Sequence, residues 1–301
     1  MENSTSAAEP HAVAPVAGTP RSIEGEALAA RINAAGLDWI VPAWPAPGGV
    51  GALSTTRNGG VSRGDAATMN LGLAGALRDG IDTPEAVLVN RQRLDAFLPS
   101  SPIWLRQVHG IEVARLDGPG VAAARATPPE ADAAVTCLPG IVCAVMTADC
   151  LPVIFADRHG HAVGAAHAGW RGLAAGVLGA TIAALEDLGA RRDDIVAWMG
   201  PAIGPGAFEV GDEVRAAFAA IDAGSNACFT ARGNGKWLAD LYELARRQLA
   251  RAGIGEVHGG GHCTLTESAR FHSYRRDRRS GRMATLVWLH GEESDGKRAT
   301  I

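Results

Sequence analysis

The chain has no CxxC pair, no long run of basic residues and no apolar stretch long enough to span a membrane. Its aromatic content is 5%. Each of these absences excludes something. Five cysteines at positions 137, 143, 150, 228 and 263 are an odd number without paired spacing, which fits a reducing cytoplasm better than a disulfide framework. A net charge of -4 without a basic block argues against nucleic acid as a partner. The missing long apolar run argues against a membrane protein. Residues 1–20 are rich in Ala, Pro and Ser, but Glu2 and Glu9 interrupt them and no basic region precedes an apolar core. That pattern predicts a disordered tail rather than a secretion signal.

What is present is a chain of 301 residues with 47% hydrophobic content and 38 glycines, enough for one large core. Residues 141–176 organise it. An apolar run breaks at Ala148-Asp149-Cys150, a second run reaches Asp157, and Arg158-His159-Gly160 makes a turn. A third run ends at His167, and Gly169 and Gly172 open a small-residue helix. Cys150 and His167 therefore stand at strand ends, where α/β folds expose functional groups. A thiolate and an imidazole suit zinc, and the best third donor is His109 in Arg106-Gln107-Val108-His109-Gly110, also at a strand end. Three protein donors would leave a fourth position open, the mark of a catalytic rather than a structural site.

Around this stretch the patterns predict helices over 22–36, 83–98, 172–188, 211–220 and 237–249. Strands are expected at 51–57, 103–108, 111–116, 131–137, 195–199, 257–265 and 282–289, and an exposed loop over 118–130. No repeat and no linker interrupts residues 49–289, so a single α/β domain with mixed strands is expected. Asp149 and one arginine cluster stay open between bland and functional roles. Asp149 either stabilises its turn, or orients a histidine or handles a proton. The Arg275, Arg276, Arg278, Arg279 cluster is either a solvated turn or an anion site. At the start of the helix after His167, free N–H groups and the Arg171 guanidinium favour a phosphate. Tyr274 and Arg275 lie in a polar, aromatic loop with His272, where a ring could stack on a purine.

Five segments occur in order: RQVHG, TADCLPV, HAGWRG, GPAIGPGAFEVGDEV and FHSYRRDRRSGRMA. Together they resemble the laccase-domain family, whose members carry the label polyphenol oxidase or, more recently, zinc-dependent purine nucleoside phosphorylase. The resemblance runs from about residue 49 to 288. It implies a single layered α/β sandwich domain with mixed sheets, set at residues 37–292 between a weakly structured segment 1–36 and a short tail 293–301. It implies phosphorolysis of adenosine, inosine, guanosine or methylthioadenosine, adenosine deamination, a zinc site at His109, Cys150 and His167, and a cytoplasmic location. Arg57, at a strand end, gains a possible contact with an anionic substrate group, and Asn70 falls in the same matching region.

Three other readings remain. A copper oxidase needs many histidines in His-x-His pairs, and here there are nine His and one such pair, His159-Gly160-His161, in a predicted turn. A cysteine hydrolase would use Cys150 as nucleophile with a histidine base, matching relatives described as peptidoglycan-editing factors. A non-enzymatic zinc module would need a closed site with His262 or Cys263 as fourth ligand. Oligomeric state is open.

Overall fold

The computed structural model describes residues 21–74 and 80–291. The tails expected at 1–20 and 293–301 lie outside the described residues. In chain order the elements are α1 (Ile23–Ala34), β1 (Val50–Ser54), α2 (Pro84–Asp95), β2 (Val113–Arg115), α3 (Pro119–Ala126), β3 (Ala133–Thr136) and β4 (Val142–Thr147). Next come β5 (Leu151–Asp157), β6 (Val163–Ala168), α4 (Trp170–Ala175), α5 (Val177–Asp187), β7 (Ile195–Met199), β8 (Glu209–Gly211) and α6 (Asp212–Ala219). The chain closes with β9 (Phe229–Gly233), β10 (Lys236–Ala239), α7 (Leu241–Arg251), β11 (Glu256–Gly259), α8 (Tyr274–Asp277) and β12 (Met283–Leu289).

Strand β5 is buried along its whole length because both of its faces are covered. It reads Leu-Pro-Val-Ile-Phe-Ala-Asp, a continuous apolar run of the kind such strands need. It is central in a mixed six-stranded sheet of order β11-β7-β5-β6-β3-β2. Successive side chains point to opposite faces. Val153 and Phe155 meet Leu178, Ile182 and Leu185 of α5 and Leu244 and Leu249 of α7. Ile154 and Ala156 face a second, antiparallel sheet β1-β12-β4, packing with Ala52, Cys143, Val145 and Val287. The far face of that second sheet, through Leu53, Ala144, Leu286 and Trp288, takes Leu28 and Ile32 of α1 and Leu94 of α2. Helices, large sheet, small sheet, helices: this is the expected layered sandwich, with mixed sheets. A separate three-stranded sheet, β8-β10-β9, adds Val210, Phe229 and Ala239 to the core on the α5 and α7 side.

The segment 22–36 forms a helix capped by Ser22, whose hydroxyl accepts the Gly25 N–H, and it packs on the core through Leu28 and Ile32. Elsewhere the expectations need correction. The loop expected over 118–130 contains α3, started by Pro119 in its first turn. The helix expected over 172–188 is two, because Gly176 adopts φ 103°, a left-handed conformation that interrupts the ladder and that only glycine takes without strain. Trp237 and Leu238 belong to β10, and the helix begins after Asp240, whose carboxylate accepts the Glu243 N–H. The strand expected at 103–108 is reduced to bridges at Ile103 and Arg106. No helix among the described residues is long and apolar enough to cross a membrane.

Candidate metal centre

Sheet register builds the site. Ala133 pairs with Ala166, Val113 with Ala133, and Leu151 with Ala168. The residues just before β2, β3 and β5 and at the end of β6 therefore gather at one end of the large sheet's strands. Those residues include His109, Asp132, Cys150 and His167.

The ligand atoms of His109, Cys150 and His167 all lie within 4.8 Å of one another. Among the described residues they are the one tight group of this kind. Cys150 Sγ is 3.7 Å from His109 Nε2. Two donors bonded to one tetrahedral zinc, at ordinary Zn–N and Zn–S lengths, stand about 3.6 Å apart. The imidazole rings of His109 and His167 meet edge to face with centroids 4.7 Å apart. His167 is buried, Cys150 half-buried and His109 exposed, so the cluster opens to solvent on the His109 side. Donor type, spacing and access all fit a metal.

Asp132, which sequence reasoning missed, sets this geometry. It is fully buried. Its Oδ1 accepts from His109 N at 2.9 Å and pairs with His167 Nδ1 at 2.8 Å, while Oδ2 accepts from Val108 N at 3.1 Å and Gly110 N at 2.6 Å. One carboxylate thus folds the 108–110 turn, where His109 takes a left-handed φ of 65°, and orients the imidazole of His167. With Nδ1–H committed to Asp132, Nε2 of His167 is left as the donor nitrogen. Burial alone would raise the pKa of Asp132, but the His167 and backbone hydrogen bonds hold it below the usual carboxylate value.

Charge follows the same pattern. Burial disfavours a Cys150 thiolate, yet His167 and His109 outweigh it and bring the thiol down to about 6. Burial likewise opposes charge on His167, and Cys150 and Asp132 lift it to about 9. A thiolate is what metal ligation and nucleophilic chemistry both require. Gly169 completes the cluster by having no side chain: a Cβ there would lie 2.8 Å from His109 Cδ2 and 3.1 Å from Cys150 Sγ.

The other expected residues divide. Asp149 bonds to neither histidine. Its Oδ1 accepts from Thr264 Oγ1 at 2.6 Å and its Oδ2 from Arg275 N at 2.6 Å, so it fastens α8 beside the cluster, and the orienting carboxylate is Asp132 instead. Arg57 donates to the carbonyls of Ala67 and Ser268. Asn70 donates to Asp82 and accepts from Gly72 and Arg282. Both are spent on the fold, and neither bonds to the cluster. Arg275 donates to the Glu209 carbonyl and lies over Phe208. His272 is fully buried, and burial with nearby Arg57, Arg282 and Arg276 lowers it to about 3, hence neutral. Tyr274 is 52% exposed. Arg171 is exposed and stacked on Trp170 at 4.5 Å. It has no hydrogen bond or ion pair with any described residue. His262 pairs with Glu267 at 3.1 Å, and Cys263 Sγ accepts from Gly204 N at 3.2 Å. Neither joins the cluster, so the closed four-ligand site does not form among the described residues.

Residues 51–290 match the sequence model of a family described as multi-copper polyphenol oxidoreductase laccase. The chain belongs to this family. Within it, the chain is 52% identical over 252 residues to purine nucleoside phosphorylase YfiH of Escherichia coli, covering 83% of this chain and 98% of that protein. It is 51% identical to purine nucleoside phosphorylase PA4543 of Pseudomonas aeruginosa, with the same coverage. Among solved structures it resembles Neisseria meningitidis protein NMB0706, with a TM-score of 0.77 and 48% identity, covering 84% of this chain and all of that one. The matches span nearly the full length of these relatives.

Proposed function

We propose that the chain is a zinc-dependent purine nucleoside phosphorylase. It converts adenosine, inosine, guanosine or methylthioadenosine and phosphate to free base and sugar 1-phosphate, and it deaminates adenosine as a second activity. One observation carries this reading: an open three-donor cluster, in a chain half identical to proteins named purine nucleoside phosphorylase. His109, Cys150 and His167 would hold the ion. Zinc, when bound, supplies a Lewis acid and lowers the pKa of water to roughly 7.

The chain's own residues do the rest. Asp132 keeps His167 Nδ1 protonated and the 108–110 turn closed, which fixes two donors before substrate arrives. Phosphate must approach the anomeric carbon as the bond to the purine breaks. Arg171 is the best-placed group to hold it, because its guanidinium is exposed and uncommitted, whereas those of Arg57 and Arg275 already serve backbone carbonyls. Trp170 beneath it keeps the guanidinium extended. Tyr274 offers an exposed ring on which a base can stack. Purine nucleosides and phosphate are the partners, the cytoplasm is the location, and residues 37–292 with the docked α1 form the working body.

For Arg171→Ala the expected result is a tenfold to hundredfold fall in phosphorolysis efficiency, since losing a charge-assisted bidentate contact costs about 1.5–3 kcal/mol. Arg171→Lys should recover only part of it, because an ammonium keeps charge without the planar fork. Deamination, which uses no phosphate, should change much less, and zinc should stay. Equal loss of both activities with zinc retained would move the phosphate elsewhere.

A cysteine hydrolase is the second reading, favoured by the low pKa of Cys150 beside His167. It separates cleanly: a nucleophilic Cys150 would survive chelation and be stopped by iodoacetamide.

A further inference from the structure

Three distant segments converge on Asp149, the residue before Cys150. Its carbonyl accepts from Ile203 N at 2.9 Å. Its Oδ1 accepts from Thr264 Oγ1 and its Oδ2 from Arg275 N, both at 2.6 Å. Asp149 is 9% exposed. It takes a left-handed φ of 88°, which Asp and Asn tolerate better than most side chains. The segments around Thr264 and Arg275 are also tied to each other. Arg276 donates through its guanidinium to the carbonyls of Thr264 and Leu265, and Ser273 caps α8 by accepting from Arg276 N at 3.1 Å. One carboxylate thus joins the residue before a metal donor both to α8 and to the loop that α8 rests on.

Helix α8 has four residues, too few to hold a direction of its own, so its orientation comes from these ties. Tyr274, its first residue, immediately precedes the Arg275 N–H that Asp149 holds. Hydrogen bonds to a carboxylate are short and roughly twice as strong as neutral ones, so they fix position closely. The Arg282 guanidinium lies 5.8 Å from the Tyr274 ring centroid, and the residue is otherwise open to solvent. We infer, on the reading of the chain as a nucleoside phosphorylase, that Asp149 is a positioning residue for the purine base. It sets the Tyr274 ring against Cys150, so that a base stacked on the ring is held in register with the metal centre. Asp149 moves no proton in this role, because both of its oxygens are occupied as acceptors.

The test measures inosine binding to the zinc-loaded full chain by calorimetry without phosphate, where inosine is not consumed. Glycine accepts a positive φ without strain, so Asp149→Gly removes both side-chain ties and keeps the turn. The bond from Arg275 to the Glu209 carbonyl still retains α8. Tyr274→Ala and Asp149→Gly should each raise the inosine Kd roughly tenfold, the typical effect of losing one stacked ring. Combining them should add less than about twofold, because no ring is left to misplace. Asp149→Asn should recover most of the affinity, since its amide oxygen accepts from Arg275 N while its NH2 turns to the Thr264 hydroxyl. With phosphate present, Asp149→Gly should raise the inosine KM more than it lowers kcat, with stoichiometric zinc retained. An unchanged Kd in Asp149→Gly, or an equal rise with and without Tyr274, would overturn the inference. So would loss of zinc, which would mean that the carboxylate serves Cys150. Should Asp149→Gly fail to fold, Thr264→Val cuts one tie alone and carries the same cycle, with a smaller rise that again requires Tyr274. Inosine that binds but is not split with phosphate would refute phosphorolysis and leave the Asp149 comparison standing. No inosine binding by the unmodified chain would overturn both.

Discussion

Cys150→Ala should lose its zinc and at least about a thousandfold of its nucleoside turnover together. Cys150 is the softest donor of the three, 3.7 Å from His109 Nε2 and within 4.8 Å of the His167 donor. A Lewis acid contributes several kcal/mol to a transition state, and each 1.4 kcal/mol is about tenfold in rate. His109→Ala and His167→Ala should behave alike, since two remaining protein donors hold zinc far more weakly than three. Metal analysis beside a turnover assay reads both effects. Stoichiometric zinc in all three variants would sink the ligand assignment.

Asp132 should show a different signature. It touches no substrate in this reading, yet its carboxylate serves three backbone N–H groups and His167 Nδ1. Asp132→Asn puts an amide N–H against backbone donors and costs His167 its fixed orientation. Loss of such an orienting partner lowers metal affinity about 10- to 100-fold. Competition with a chelator of known affinity measures the shift. Because the ligands themselves remain, saturating zinc should restore most turnover in Asp132→Asn and none in Cys150→Ala. Unchanged zinc affinity would show that the 108–110 turn holds His109 without help.

The contrast between these residues marks what was legible beforehand. Cys150 and His167 announce themselves because each follows or ends an apolar run with a sharp break, and strand ends are where chemistry sits. His109 follows from the same logic. Asp132 gives no such signal: it is one acid at the head of an Ala-rich strand, 23 residues from His109 and 35 from His167. It meets them only because β3 pairs with β6 on one side and β2 on the other. Asp149, adjacent to Cys150, is open to the orienting role from sequence alone, but its carboxylate accepts from Thr264 and Arg275 instead. Local punctuation carries further signals. Pro119 signals a helix start, Gly176 a helix break, and Asp240 an N-cap after a short strand. The alternation along Lys236–Ala239 is too brief to separate strand from helix. The layered sandwich was expected from the family resemblance, whereas the pairing order that joins the four site residues comes only from long-range register.

The most direct measurement incubates the zinc-loaded protein with adenosine, inosine, guanosine and methylthioadenosine, with and without phosphate, and identifies products by mass. Expected are free purine base and sugar 1-phosphate only when phosphate is present, inosine from adenosine in either case, and loss of both after chelation. Free base with unphosphorylated sugar in the absence of phosphate, or turnover that survives removal of the metal, would contradict zinc-dependent phosphorolysis.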